Sequence, residues 1–237
     1  MHILEEKLTK GMNELGLAID EKALTAFRKY YELLEETNKV MNLTAISGES
    51  DVASLHFLDS LALLKVTEFE NKRVIDIGSG AGFPGIPLKI GCPSMKLTML
   101  DALAKRVGFM ARVCEEAGIE AEPIHGRAEE YGQKKEYREQ FDFAVSRAVA
   151  SMNMLAELCI PFIKVGGCML AMKSVDSGDE VKKSEECLEK LGCVVERTVD
   201  YAVPHTDVTH RCVVIRKVSP TPKQYPRRFA KIQKEPL

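Results

Sequence analysis

Through the first seventy residues apolar positions recur every three or four places, the period of an amphipathic helix. In "DEKALTAFRKYYELLEETNKVMN" the residues Leu24, Phe27, Tyr31 and Leu34 share one face, and Asp20 stands where an N-cap belongs. "NLTAI" breaks the pattern and "VASLHFLDSLALLKV" resumes it. Phe27, Tyr30 and Tyr31 are expected in the core of this lobe rather than on a base-stacking platform. From residue 72 the texture changes to short, β-rich apolar runs. These are "RVIDI" (73–77), "KLTML" (96–100), "AEPIH" (121–125), "FDFAV" (141–145), "GCMLAMK" (167–173), "CVVERTVDYAV" (193–203) and "RCVVIRKV" (211–218). Helical stretches are predicted at 84–91, 104–117, 127–135, 151–163 and 178–191.

Strands apolar along their whole length, alternating with helices, predict a parallel sheet covered on both faces. Only "PHTDVTH" separates the last two runs, so they should pair antiparallel at one end. The expected architecture is α/β: a doubly wound, mostly parallel seven-stranded sheet with a helical N-terminal lobe. Residues 1–70 form that lobe, 71–218 the sheet domain and 219–237 a tail.

Composition changes this picture little. The 237 residues are 45% hydrophobic and 29% charged, as in an ordinary soluble globular protein. No apolar run reaches the ~18 residues that a membrane span needs. "MHILEEKLTK" lacks the features of a signal peptide, and seven cysteines without paired spacing read as reduced thiols, so a cytoplasmic monomer is expected. Charge is more informative. Residues 1–70 hold 13 acidic against 7 basic side chains, a net of −6, whereas 216–237 hold 7 basic against 1 acidic, a net of +6. A basic tail suits an anionic partner or simply a solvated end.

The chemistry concentrates after the first strand, where an open α/β sheet binds its ligand. In "VIDIGSGAGFPGIPLK" (74–89), Gly78, Gly80 and Gly82 let the chain turn tightly and a ligand approach the backbone. Pro84 and Pro87 are tolerated because first-turn N–H groups lack intrahelical partners. Gly80, Gly82 and Gly85 spell a literal G-x-G-x-x-G, so a nicotinamide dehydrogenase stands as one alternative. Its register is poor, since counting from Gly78 puts Phe83 at the third glycine. Asp76 at the strand end suits a ligand carrying an ammonium or sulfonium group better than a pyrophosphate, which points to S-adenosylmethionine. Asp101 ends the second strand, placed to accept ribose hydroxyls or to cap the following helix. Ala128 and Glu129, after the third strand, are placed to border an adenine.

The fourth strand runs into "FDFAVSRAVA" (141–150), where a methyl acceptor would sit. It lacks the Asn/Asp-Pro-Pro-aromatic run of amine methylation, and no cysteine follows it to serve pyrimidine C5 chemistry. Arg147 remains, either as a partner for a guanine edge or phosphate, or as half of an ion pair with Asp142 or Glu157. An acceptor such as guanine N7 is nucleophilic without losing a proton and needs only alignment, so no residue is required as a general base.

Together these residues resemble the bacterial methyltransferases that modify guanine N7 in small-subunit (16S) ribosomal RNA, a family also called glucose-inhibited division protein B. The stretches that carry the resemblance are "NKVMNLTAI", "HFLDSL", "DIGSGAGFPGIPLKI", "LDALAKRVGFM", "GRAEE", "FDFAVSRAVA" and "TPKQYPRRFAKIQKEPL". It implies a Rossmann-like class I methyltransferase fold. It also implies S-adenosylmethionine contacts from Gly78, Phe83, Ala128, Glu129 and Arg147, to which Asp76, Gly80 and Asp101 are added here. The implied partner is small-subunit ribosomal RNA or the ribosomal subunit, with the reaction at a guanine near the decoding site. Lys173-Ser174 stands where the family usually has Lys-Gly, and "RRFAKIQK" lacks the glycine common after the arginines.

Lys223, Tyr225, Arg227, Arg228 and Lys231 are the candidate RNA-binding residues, cations for phosphate and a ring for a base. His205, His210 and Cys212 fit no zinc spacing, so no metal is expected. His56 and Asp59, one turn apart, either support their helix locally or line the cleft mouth. A third alternative, a non-catalytic RNA-binding protein with a vestigial glycine loop, also stands at this point.

Overall fold

A computed structural model describes residues 3–147 and 150–237; Ala148 and Val149 of the "FDFAVSRAVA" stretch, like Met1 and His2, lie outside the described residues. Helix α1 (Ile3–Glu14) is followed by α2 (Glu21–Met41), which Asp20 caps by accepting the Ala23 N–H at 2.7 Å. On α2, Phe27, Tyr30, Leu33 and Leu34 are buried while Leu24 and Tyr31 are half-buried, so the inward face is rotated slightly from the expected one. A helical segment over 49–65 completes the lobe, and its central turn, Val52–Leu58, is π-helical.

The sheet has seven strands: β1 (Arg73–Ile77), β2 (Lys96–Asp101), β3 (Ala121–His125), β4 (Phe141–Ser146), β5 (Ile163–Ser174), β6 (Cys193–Ala202) and β7 (Thr209–Lys217). Their order is β3-β2-β1-β4-β5-β7-β6. β7 pairs antiparallel with both β5 and β6, and the other neighbours pair parallel, as the short "PHTDVTH" link requires. The order reverses between β1 and β4, and the crevice at such a switch point is where these sheets hold ligands.

Each central strand feeds two cores alternately, which explains its unbroken apolar sequence. Val74, Leu97, Val145, Leu170 and Val214 join a core shared with the lobe and the helices Gly85–Gly91 and Ala104–Glu116. Ile75, Leu100, Ala144, Ala171 and Val213 face the opposite core, under helices Met152–Cys159 and Glu185–Lys190. The 1–70 boundary is therefore one of sequence, because in space the lobe and one sheet face share a core. The predicted helix at 127–135 is only Ala128–Tyr131, and that at 178–191 is broken at Ser184.

Candidate active site

The loop leaving β1 rises through three glycines at positive φ: Gly78 (+72°), Gly80 (+61°) and Gly82 (+98°). They do different work. A Cβ on Gly78 would meet nothing within 4 Å, and one on Gly80 only the Gly78 carbonyl at 3.9 Å. On Gly82 it would meet Ile86 Cδ1 at 2.5 Å and the Tyr30 hydroxyl oxygen at 2.9 Å. The first two glycines thus border open space, and the third allows close packing against the lobe. Tyr30 donates its hydroxyl to the Ala81 carbonyl and stacks on Phe83, ring centroids 5.4 Å apart, so α2 braces the loop from behind. Nothing in the sequence pattern singled out Tyr30 for this role.

Asp76 corrects an expectation. Expected among the cofactor-binding residues on the strength of its charge, it has a side chain that is 0% exposed. Oδ2 accepts the Gly85 N–H at 2.8 Å and so pins the start of helix Gly85–Gly91. Oδ1 has no hydrogen-bond partner, and burial pushes the carboxyl up to about 8. A sealed carboxyl whose ionisation burial suppresses fits a ligand that brings positive charge over the loop, acting through the field rather than by contact. Asp101 closes β2 and ties it to the loop, since Oδ2 accepts the Gly80 N–H at 2.9 Å and Oδ1 the Leu103 N–H at 2.9 Å. Ala128 and Glu129 open the short helix after β3, with Glu129 3.8 Å from Arg127. The ends of β1, β2 and β3 therefore bring Gly78, Gly80, Asp101, Ala128 and Glu129 to one side of the sheet. These residues fit S-adenosylmethionine: open backbone at the first two glycines, a carboxylate at the end of β2, and a buried carboxyl beneath. A separate cavity of about 410 Å³, lined by Ile19, Lys89 and Ile119 among others, opens at the opposite, amino ends of β2 and β3.

Arg147 follows β4 and turns towards the lobe. Its Nη1 donates to the Leu55 carbonyl at 3.2 Å and to Asp59 Oδ2 at 3.3 Å, and its Nη2 donates to His56 Nδ1 at 2.8 Å. The guanidinium lies 4.7 Å from the centre of the Phe83 ring, on which His56 also stacks at 4.3 Å. The ion pair is with Asp59, not with Asp142 or Glu157, which pair with Lys164 and Arg227. A guanidinium can only donate, so His56 Nδ1 accepts and Nε2 carries the proton towards Thr44 Oγ1 at 2.8 Å. Burial and the neighbouring Arg147 push His56 down to about 3. It is a neutral prop for the arginine. The Asp59 N–H donates to the His56 carbonyl within the helix, but the two side chains are both turned to Arg147 rather than to each other. The only sequence signal was two polar residues inside an apolar helix.

This arrangement anchors a cation against the Phe83 ring at the end of the glycine loop. A sequence model of the family described as rRNA small subunit methyltransferase G (GidB) matches residues 23–208. The ribosomal RNA small subunit methyltransferase G of Alkaliphilus oremlandii is 43% identical over 236 residues, which cover 99% of each chain. This chain belongs to that family. Solved structures agree on the fold alone. The mitomycin 7-O-methyltransferase MmcR superposes with a TM-score of 0.57 at 16% identity, covering 80% of this chain and 60% of its own. A branched-chain polyamine synthase mutein from Thermus thermophilus gives 0.59 at 12% identity, covering 84% and 65%.

For a member of this family the tail is less available than its sequence suggests. Arg227 donates from Nε to Glu157 Oε1 at 2.8 Å and from Nη2 to Oε2 at 2.6 Å, and Glu157 is 0% exposed. Tyr225 is 8% exposed and packs in the second core. Both were expected to meet RNA; the pull of a buried carboxylate and of apolar burial turns them inward instead. Lys223, Arg228 and Lys231 stay exposed. His205 contacts the Lys7 carbonyl, His210 contacts Asp59 and Cys212 is buried in the lobe-side core. Among the described residues no group of three or more His, Cys, Asp or Glu stands ready for a metal, and no helix is long and apolar enough to cross a membrane.

Proposed function

We propose that this chain transfers the methyl group of S-adenosylmethionine to N7 of a guanine in 16S ribosomal RNA, as a cytoplasmic monomer. The cofactor supplies an electrophilic methyl group on a sulfonium. Gly78 and Gly80 admit it to the backbone, Asp101 accepts from its ribose, Ala128 and Glu129 border its adenine, and Phe83 and Arg147 wall the transfer side. Asp76 acts from beneath, its ionisation favoured when positive charge arrives above it.

The observation that carries this reading is an anchored Arg147 whose titratable side-chain partners among the described residues are already engaged. His56 has both ring nitrogens engaged and is held neutral, and Asp59 is engaged by Arg147. The cysteines are buried. An acceptor here must attack without surrendering a proton, and guanine N7 does so. Aligning the lone pair with the methyl group then contributes, as orientation can, on the order of 7 kcal/mol. Exposed Lys223, Arg228 and Lys231 supply phosphate contacts. The test is binding and transfer together: S-adenosylmethionine should bind where NADH does not, and its labelled methyl should enter 16S RNA in small subunits from cells lacking this protein. Binding of NADH instead would restore the dehydrogenase alternative, and RNA binding without transfer would favour a non-catalytic protein.

A further inference from the structure

Arg147 is not held by one contact but by a cluster that spans four elements. Asp59, 1% exposed, sits at its centre in the 49–65 helical segment. Its Oδ2 accepts from Arg147. Its Oδ1 accepts from the Tyr201 hydroxyl at 3.0 Å and faces His210 Nδ1 at 2.8 Å. Tyr201 and His210 are register partners on β6 and β7, so the edge of the sheet reaches under the lobe to grip one carboxylate. Leu55 and His56, which also hold Arg147, lie in the π-helical turn, a geometry that recurs at functional sites.

We propose that Asp59, seconded by Tyr201 and His210, is the positioning residue of Arg147. It orients the guanidinium so that its remaining N–H groups meet the O6 edge of the guanine whose N7 receives the methyl. This rests on the functional reading above. Among the described residues, three of the five guanidinium N–H groups are used by Leu55, Asp59 and His56, and two remain to meet a ligand. Guanine presents O6, an acceptor, next to N7, whereas adenine presents an amino donor there. An arginine held in this way favours the first base and is left without an acceptor by the second. A purely structural post would not need a carboxylate, because an apolar side chain fills a buried site at least as well.

The test uses the full-length protein with labelled S-adenosylmethionine and small subunits from cells lacking it. In Asp59→Asn the amide can still accept from Tyr201 and His210, but it turns a donor towards Arg147. We expect kcat to fall about 30-fold, the equivalent of losing a charge-assisted hydrogen bond of about 2 kcal/mol, with KM for S-adenosylmethionine within about twofold. Tyr201→Phe removes one donor from Asp59 and keeps the carboxylate, so kcat should fall by a smaller factor, about 3- to 5-fold. This milder variant carries the test should Asp59→Asn fail to fold. His210→Gln should alter the pH profile of kcat, since the charged and titratable groups facing His210 are Asp59, Arg147 and Tyr201. Folded variants that keep the wild-type kcat and pH profile would overturn the assignment while the functional reading stood. A wild type that transfers no label would overturn both.

Discussion

Asp76→Asn separates what this carboxyl does for stability from what it does for the ligand. Burial holds Asp76 at about 8 in the folded chain, against ~3.9 when unfolded. An acid whose folded value is raised keeps its proton in the native state after the unfolded chain has lost it. Its unfavourable contribution therefore begins near the unfolded value and grows as pH rises to the folded one. The slope over that window is ~1.4 kcal/mol per pH unit, so the folded wild type loses on the order of 3 kcal/mol between pH 5 and pH 7 through this group. Asparagine preserves an acceptor for the Gly85 N–H and has no charge to suppress. Its buried amide donor brings a pH-independent penalty of ~1–2 kcal/mol. Urea unfolding of both proteins at pH 5, 6 and 7 isolates the effect, because every other titration cancels in the difference. The stability of the variant relative to wild type should climb with pH at close to the stated slope. S-adenosylmethionine affinity should behave oppositely: it tightens in the wild type as pH rises towards 8 and stays weak and flat in the variant. A stability difference constant with pH would refute the assignment of a proton-bearing, buried Asp76.

Other perturbations test separate parts of the account. Arg227→Ala strands the fully buried Glu157 and should destabilise by ~3–5 kcal/mol, measured by denaturant unfolding. Arg228→Ala should leave the unfolding midpoint in place but weaken binding to 16S RNA and reduce its salt dependence by about one phosphate contact. Lys217, 0% exposed and paired with Glu139 Oε1 at 2.7 Å, ties the end of β7 to the turn before β4; Lys217→Ala should cost ~3 kcal/mol in the same assay. Gly82→Ala forces a Cβ to 2.5 Å from Ile86 and should lower the thermal midpoint, whereas Gly78→Ala should cost only ~1 kcal/mol of backbone strain while sharply weakening S-adenosylmethionine binding by calorimetry.

What the sequence discloses is what local physics determines. The glycine loop, the strand runs and the Asp20 cap follow from periodicity and from positions that only certain residues tolerate, and all three appear where expected. Burial and distant pairing are another matter. Arg147 finds Asp59 across 88 positions and Arg227 finds Glu157 across 70, and neither pairing leaves a trace in spacing. Tyr225 beside two arginines looks like an RNA-stacking ring because a one-dimensional pattern cannot tell a solvated aromatic from one folded back on the core. Asp76 stands at the end of β1 as the sequence has it, but its charge state depends on a burial that β1 alone does not reveal. The π-helical turn is equally silent, since "VASLHFL" has an apolar pattern compatible with either helix.

Methylation at N7 without a general base leaves a chemical mark on the RNA that can be read directly. Small subunits from cells lacking this protein are incubated with it and S-adenosylmethionine, and the extracted 16S RNA is treated with borohydride and aniline, which cleave the chain at 7-methylguanosine. The account predicts a new scission at a single guanine, dependent on the cofactor and lost in Arg147→Ala. Methyl incorporation without scission would place the group on another atom and contradict it.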